Sequence, residues 1–448
     1  MSSAARKLSI VIPLVLIALP AILFCSILAR YVIDVPMFDD YDAVLGFLNH
    51  LEVAPTFWAK LVFFLGSQHS EYKLFFEEAV FWAQVKALGH INLPSLCMLG
   101  NGFALLLGIV LWRMFLPAAE LSRRLIFFIP VSWLLFQLQY AQTLDFPIGA
   151  LQNLPVIVFS LAAIHLLFET KRWSFSAALA LFVLAISSSG NGLVLIPIGL
   201  VVLAVRRDFR RIFAWAGVSA VCMASYLYNY TPANWQTPSG SVIPAVARLR
   251  SLGFAVSLLG SAGAYPIRAG GIVLGTLLCL FCIYVGRRGY FRKRPDVGYS
   301  VVFLVLTSIC LTCFRLNYGF QASMASRYTI YSTLLLIFGW FAIVELWLDR
   351  NRHLPWRNPM FVCAACGAIC FSVAMDVWGA RFLERRNRDL IIGMSLYARN
   401  PSPQATSGPV FPPPATADVQ AFNLRVREIL RQSSELGIYR PPADRDVR

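Results

Sequence analysis

Charge is what this sequence has least of. Of its 448 residues 14% are charged, against 58% hydrophobic, and only five are histidine. A soluble domain carries about a quarter charged residues, so a soluble enzyme is excluded. Acidic residues are the scarcer sign, 23 against 39 Lys and Arg, which leaves a formal net charge of +16. In a soluble chain that excess would point to a nucleic-acid partner. Here nearly half of the basic residues sit in six short connectors: Arg6 and Lys7; Arg113, Arg123 and Arg124; Lys171 and Arg172; Arg206, Arg207, Arg210 and Arg211; Arg287, Arg288, Arg292, Lys293 and Arg294; and Arg350, Arg352 and Arg357. These fall on every second gap between apolar runs, the pattern of the positive-inside rule. The charge reports topology, and no nucleic-acid partner is expected. Glycine (28) and proline (25) are at ordinary levels and aromatic residues reach 14%, which excludes collagen-like and disordered chains. The first apolar run has neither a small-x-small cleavage site nor a lipobox before Cys25 and is longer than a signal peptide's apolar stretch, so it reads as a retained anchor.

Long apolar runs are what the sequence has in abundance, with a mean hydropathy of +0.64. A hydrocarbon core of about 30 Å needs about 20 apolar residues per helix. Eleven runs answer to that, near residues 9–30, 95–113, 124–140, 147–168, 173–188, 192–205, 212–229, 268–286, 298–314, 328–348 and 360–378. The expectation is an all-α, polytopic membrane protein with about 11 transmembrane helices. Arg6 and Lys7 put the N-terminus on the cytoplasmic side, and an odd number of spans puts the C-terminus on the extracytoplasmic side. The CxxC pairs Cys279/Cys282, Cys310/Cys313 and Cys363/Cys366 lie inside apolar runs with no His or carboxylate nearby, so they read as small packing residues rather than a zinc site.

The segments on the outward side hold the polar chemistry. The first, residues 31–94, contains three stretches too short or too charged to span, 41–51, 56–65 and 72–88, which are expected to lie as interfacial helices in the headgroup plane. It opens with Asp39, Asp40 and Asp42. Crowding and partial desolvation raise carboxylate pKa values, which is how a general base is tuned; the competing reading is a cap for the helix beginning near residue 41. Further on, Gln68-His69-Ser70-Glu71-Tyr72-Lys73 reads either as a solvated helix start or as a site where His69 or Lys73 contacts an anionic group while Glu71 orients it.

Three other outward segments stand out. Residues 137–147 interrupt an apolar stretch with three Gln and one Asp, and residues 187–192 (SSSGNG) form a polar turn. Residues 315–328 place Arg315 and Arg327 on the side that otherwise has few positive charges. A guanidinium there is a candidate phosphate ligand, because its planar fork pairs with phosphate oxygens and keeps its proton; Tyr328 stands beside it. Residues 1–380 are read as the transmembrane domain and 381–448 as an extracytoplasmic tail. That tail has a Pro-rich spacer at 401–414 and an amphipathic helix at 416–437, expected to dock on the outer loops or the membrane surface.

Together these pieces fit a sugar linked to a lipid phosphate: a carboxylate removes the proton of an acceptor hydroxyl, which attacks the anomeric carbon while arginine stabilises the departing phosphate. Four places carry a resemblance: Phe38-Asp39-Asp40, the QHSEYK stretch at 68–73, Ser189-Gly190-Asn191-Gly192, and Ala325-Ser326-Arg327-Tyr328. Over residues 1 to about 380 the chain resembles the GT-C superfamily of integral-membrane glycosyltransferases, and more narrowly a group of bacterial multi-span proteins of that type. The resemblance implies a bacterial inner-membrane enzyme with Asp39 or Asp40 as base and Arg327 and Arg315 at the phosphate of a polyprenyl-phosphate-sugar donor. The acceptor would be a glycan or lipid; some superfamily members use a divalent metal beside the acidic motif. The rival readings are a transporter or flippase of lipid-linked saccharide, and a surface-polysaccharide polymerase or ligase.

Overall fold

The computed structural model describes residues 3–231, 244–265, 267–349, 359–400 and 419–441. The Pro-rich spacer at 401–414 and the basic residues Arg350, Arg352 and Arg357 lie outside the described residues. Among the described residues the fold is all-helical, its one β-type pairing being an isolated bridge between His69 and Tyr72. The first half runs α1 (Ser3–Tyr31), α2 (Phe47–Val53), α3 (Phe57–Gly66), α4 (Phe75–Leu88), α5 (Leu93–Met114), α6 (Leu121–Leu135), α7 (Pro147–Phe168), α8 (Ser174–Ser188) and α9 (Leu195–Val205). The second runs α10 (Phe209–Leu227), α11 (Pro244–Leu259), α12 (Ala269–Arg287), the single turn α13 (Tyr290–Lys293), α14 (Pro295–Arg315), α15 (Thr329–Leu348), α16 (Pro359–Arg399) and α17 (Val419–Glu435).

Seven helical segments among the described residues are long and apolar enough to cross a membrane: Ser9–Tyr31, Leu93–Met114, Pro147–Phe168, Ala269–Arg287, Pro295–Arg315, Ser326–Leu348 and Pro359–Arg399. The four other runs expected as spans coincide with α6, α8, α9 and α10, of 15, 15, 11 and 19 residues. These are shorter or more charged: α6 stops at Leu135 and passes into a 3-10 turn over Leu138–Thr143, and α10 opens with Arg210 and Arg211. The helices pack closely where small residues meet. A Cβ on Gly100 of α5 would fall 2.6 Å from the Ala150 carbonyl carbon of α7, so glycine is what lets these two backbones touch.

α16 is longer than the run at 360–378. Its 41 residues make a rod of about 60 Å, twice the hydrocarbon thickness. It therefore continues well beyond a bilayer at one end, and residue 380 falls inside a helix. The projecting half joins a second hydrophobic cluster, in which Leu390, Met394 and Tyr397 pack with Val35, Met37, Tyr41, Leu48, Leu93, Val426 and Leu430. α17 lies on this cluster. Its Ile429 carbonyl accepts from Asn49 Nδ2 (3.1 Å), Ser433 Oγ donates to Asn49 Oδ1 (2.9 Å), and Arg425 Nε donates to Asp42 Oδ1 (2.7 Å).

The stretch 41–51, expected on the membrane surface, is instead interior. Tyr41, Val44, Leu45 and Leu48 are completely covered, in a π-helical turn over Tyr41–Gly46 that runs into α2. Its broad apolar face is covered by α17 and the projecting half of α16, whose Val426, Leu430, Leu390 and Met394 share its cluster, while Asp42 and His50 stay on the less buried side. α3 keeps the surface character: Phe57, Trp58 and Val62 are exposed, and Thr56 caps its start by accepting from Ala59 N (3.1 Å).

Candidate functional site

Between α1 and the π-helical turn the chain reverses through Met37-Phe38-Asp39-Asp40. Phe38 has φ +29°, a left-handed conformation costly for a residue with a Cβ. The turn is closed twice: Asp40 N donates to Met37 O (2.7 Å) and Met37 N donates to Asp40 Oδ2 (3.0 Å). Asp40 is thereby drawn inside, with no exposed surface, while its neighbour Asp39 projects outward.

A second turn faces it. His69 and Tyr72 exchange both backbone hydrogen bonds (3.0 and 2.9 Å) around Ser70, whose φ is +52°. The Gln68 side chain anchors this turn, donating to Ser70 O (2.6 Å) and Thr231 O (2.7 Å) and accepting from Thr231 N (3.0 Å). His69 Nε2 then lies 3.5 Å from Asp39 Oδ1. Glu71 forms an ion pair with Arg315, the last residue of α14. Arg315 Nη2 also donates to Tyr72 Oη (2.6 Å), and its guanidinium lies over the Tyr72 and Tyr318 rings.

Arg327 sits on the 3-10 turn Ser326–Tyr328 that leads into α15. Its neighbour Ser326 locks this turn to the 138–143 segment: the hydroxyl donates to Gln139 O (2.5 Å) and accepts from Gln142 N (3.3 Å). The guanidinium lies 5.2 Å from the Tyr328 ring centroid, is exposed, and makes no hydrogen bond or ion pair among the described residues.

Asp39, His69, Glu71, Arg315, Arg327 and Tyr328 all line one cavity of about 490 Å³. Two further candidates from the sequence lie elsewhere. Asp40 is held in the turn. Lys73 is buried and donates to Leu65 O (3.2 Å) and Gly66 O (2.9 Å), because the tight turn sends it to the side opposite His69. Among the other residues that line the cavity are Asn191 and Arg386. Asn191, from the SSSGNG turn, donates to Tyr331 Oη (3.0 Å), and Arg386 comes from the projecting half of α16. Arg386 is one of several arginines after the last apolar run; only the unbroken length of α16 brings it back to the other helix ends.

Environment separates the two aspartates. The hydrogen bond from His69 holds the Asp39 carboxyl below its ordinary range, and the charges of His69, Arg327 and Arg315 add to this against a smaller cost of burial. Burial pushes Asp40 well above the ordinary range, and the charges of Asp39 and Asp145 push it further, beyond what the Met37 N–H recovers. Asp39 is thus the more acidic member of the pair and Asp40 the less acidic one.

The cavity adjoins a second one of about 510 Å³ that shares Glu71, Tyr72, Asn191 and Leu311 with it. Beyond that shared wall the lining is almost wholly apolar: Leu193 and Val194 just before α9, Pro197 in its first turn, Met223 and Leu227 of α10, and Leu306 and Phe314 of α14. A charged chamber thus lies beside an oily one, with Glu71, Tyr72, Asn191 and Leu311 between them. Asp39 and His69 are of ligand type, yet no three His, Cys, Asp or Glu side chains converge as a metal site among the described residues. Comparison with protein-family models finds none that matches the chain, and comparison with curated proteins finds no relative.

Proposed function

We propose that the chain is a multi-span membrane glycosyltransferase that moves a sugar from a polyprenyl-phosphate donor to a glycan or lipid acceptor on the extracytoplasmic side. In this reading all eleven apolar helices span the bilayer and the N-terminus is cytoplasmic. The observation that carries it is one cavity that holds an ionised Asp39 and an Arg327 with no hydrogen bond or ion pair among the described residues, beside an apolar chamber that shares four lining residues with it. A lipid phosphate needs both halves, a cation for its head and cover for its chain.

Asp39 is the base. Its carboxylate is ionised at neutral pH, and His69 fixes one oxygen at 3.5 Å, leaving the other to accept the acceptor's hydroxyl proton. A carboxylate below its ordinary pKa is a weak base, which suits an oxocarbenium-like transition state: the attacking hydroxyl becomes acidic as its bond to the anomeric carbon forms. The donor's bond from the anomeric carbon to phosphate oxygen breaks in the same step, and Arg327 receives the charge growing on that oxygen. Glu71 and Tyr72 hold Arg315 beside it as a fixed positive wall. The site lies where α1 and α14 end and α15 begins, at one end of these helices rather than midway along them, which favours transfer over transport.

The test is reconstitution of the full chain in liposomes with a panel of polyprenyl-monophosphate sugars carrying labelled sugar. Transfer of single sugars to an added glycan or lipid supports the reading. Passage of intact lipid-linked saccharide across the bilayer without a new glycosidic bond makes the protein a flippase, and joining of whole glycans makes it a polymerase or ligase.

A further inference from the structure

Three arginines line the cavity, and they are not equivalent. Arg315 is answered by Glu71, and Arg327 makes no hydrogen bond or ion pair among the described residues. Arg386 stands on the wall made by α16 and the 138–146 segment, whereas Arg315 stands on the wall made by α14 and the His69–Tyr72 turn. Its Nη1 donates to Asp145 Oδ1 (2.5 Å) and more weakly to Gln142 O (3.4 Å), and its guanidinium lies 4.5 Å from the Phe382 ring centroid.

An arginine serving only to neutralise a buried aspartate would bind it through both arms of the fork. Here one nitrogen does so. Asp145 Oδ2 is buried without a partner, and Nε and Nη2 of Arg386 make no hydrogen bond among the described residues. The pair therefore leaves Nε and Nη2 unengaged on a side chain that lines the cavity. Resting on the donor reading above, a polyprenyl phosphodiester carries a single negative charge, which Arg327 suffices to meet. A second cation with spare donors on another wall calls for a second anion.

We propose that Arg386 is an oxyanion subsite for the acceptor, which carries a carboxylate or a phosphate that pairs with Nε and Nη2 while Asp145 holds Nη1. Phe382 stacks under the guanidinium and fixes its plane.

The test measures binding to the purified full chain in detergent, with a polyprenyl monophosphate at saturation, of glucuronic acid, glucose 6-phosphate and neutral glucose by saturation-transfer NMR. At least one charged sugar is expected to bind about tenfold tighter than glucose, the worth of one charge-assisted bidentate contact; which of them does so tells carboxylate from phosphate. Arg386→Gln is expected to erase that preference while polyprenyl-monophosphate affinity stays the same, and Arg386→Lys to retain part of it. Should Arg386→Gln misfold because Asp145 loses its partner, the double variant Asp145→Asn, Arg386→Gln removes both charges and carries the same expectation. No preference for either charged sugar, a preference that survives loss of Arg386, or displacement of the charged sugar by polyprenyl monophosphate would each overturn the subsite. Failure of the lipid phosphate to bind, with the charged-sugar preference intact, would leave Arg386 standing and remove the donor assignment instead.

Discussion

The Asp39 carboxylate meets the His69 imidazole at 3.5 Å, and each partner adjoins a non-glycine residue with positive φ, Phe38 at +29° and Ser70 at +52°. Two strained turns from separate stretches of chain are thus held face to face. Such backbone persists only where its surroundings over-determine it, and each turn costs about 1–3 kcal/mol. Here the Asp40 and Gln68 hydrogen bonds supply that constraint. Ser70→Gly relieves the strain of one turn. It is expected to leave thermal stability unchanged or raise it by about 0.5–1 kcal/mol in unfolding scans, while slowing sugar transfer through a less fixed His69.

Arg327 and Arg315 differ in what removing them does. Arg327→Lys keeps the charge and loses the fork, so donor KM is expected to rise about tenfold with stability unchanged. Arg315→Leu strands Glu71, whose side chain is 10% exposed. It is expected to destabilise the fold by about 3 kcal/mol. Thermal unfolding in detergent alongside donor kinetics separates the two effects.

The tail is structural support for the aspartate turn. Leu430 is completely buried against the 41–51 stretch, so Leu430→Ala is expected to cost about 2–5 kcal/mol. It should also expose the segment around α17 to limited proteolysis. Unchanged protection of residues 419–435 would show that the contact is not what holds the tail.

Below the aspartate turn, burial pushes Glu78 up to about 8 despite a hydrogen bond from Ser67 Oγ (2.6 Å) and the nearby Lys73, and burial raises Glu77 in the same direction. A raised carboxyl pKa means the folded state holds a proton that the unfolded state has released. Stability from this group is full below its ordinary value of 4.5 and is lost as pH rises through 8. Glu78→Gln is expected to flatten that decline, so the variant should unfold at a higher temperature than the parent at pH 9 and differ little at pH 5.

Much of this was legible in the residues. Each of the eleven apolar runs lies on a helix, and Asp39, His69, Glu71, Arg315, Arg327 and Tyr328 meet in one cavity although they come from three separate stretches. What was not legible has physical reasons. Asp39 and Asp40 are adjacent and chemically identical, and only the direction of the turn, set by Phe38 at positive φ, decides which is buried. Lys73 is separated from the site by a hairpin whose register no spacing reveals. Arg386 lies past the last apolar run, where nothing local says that the helix continues for twenty more residues. The burial of 41–51 was not legible either, since its apolar residues form a face that suits a membrane surface equally well, and what covers it, α17 and the end of α16, lies about 350 residues further on.

The proposed chemistry turns on which aspartate takes the proton. The measurement is single-turnover sugar transfer from bound polyprenyl-monophosphate donor by the parent protein, Asp39→Asn and Asp40→Asn, with donor affinity measured for each. Asp39→Asn is expected to slow transfer by about 10²–10⁴-fold with donor affinity kept. Asp40→Asn, which preserves an oxygen for the Met37 N–H, is expected to stay within about tenfold of the parent. Parent-like transfer by Asp39→Asn, or loss confined to Asp40→Asn, would contradict the assignment.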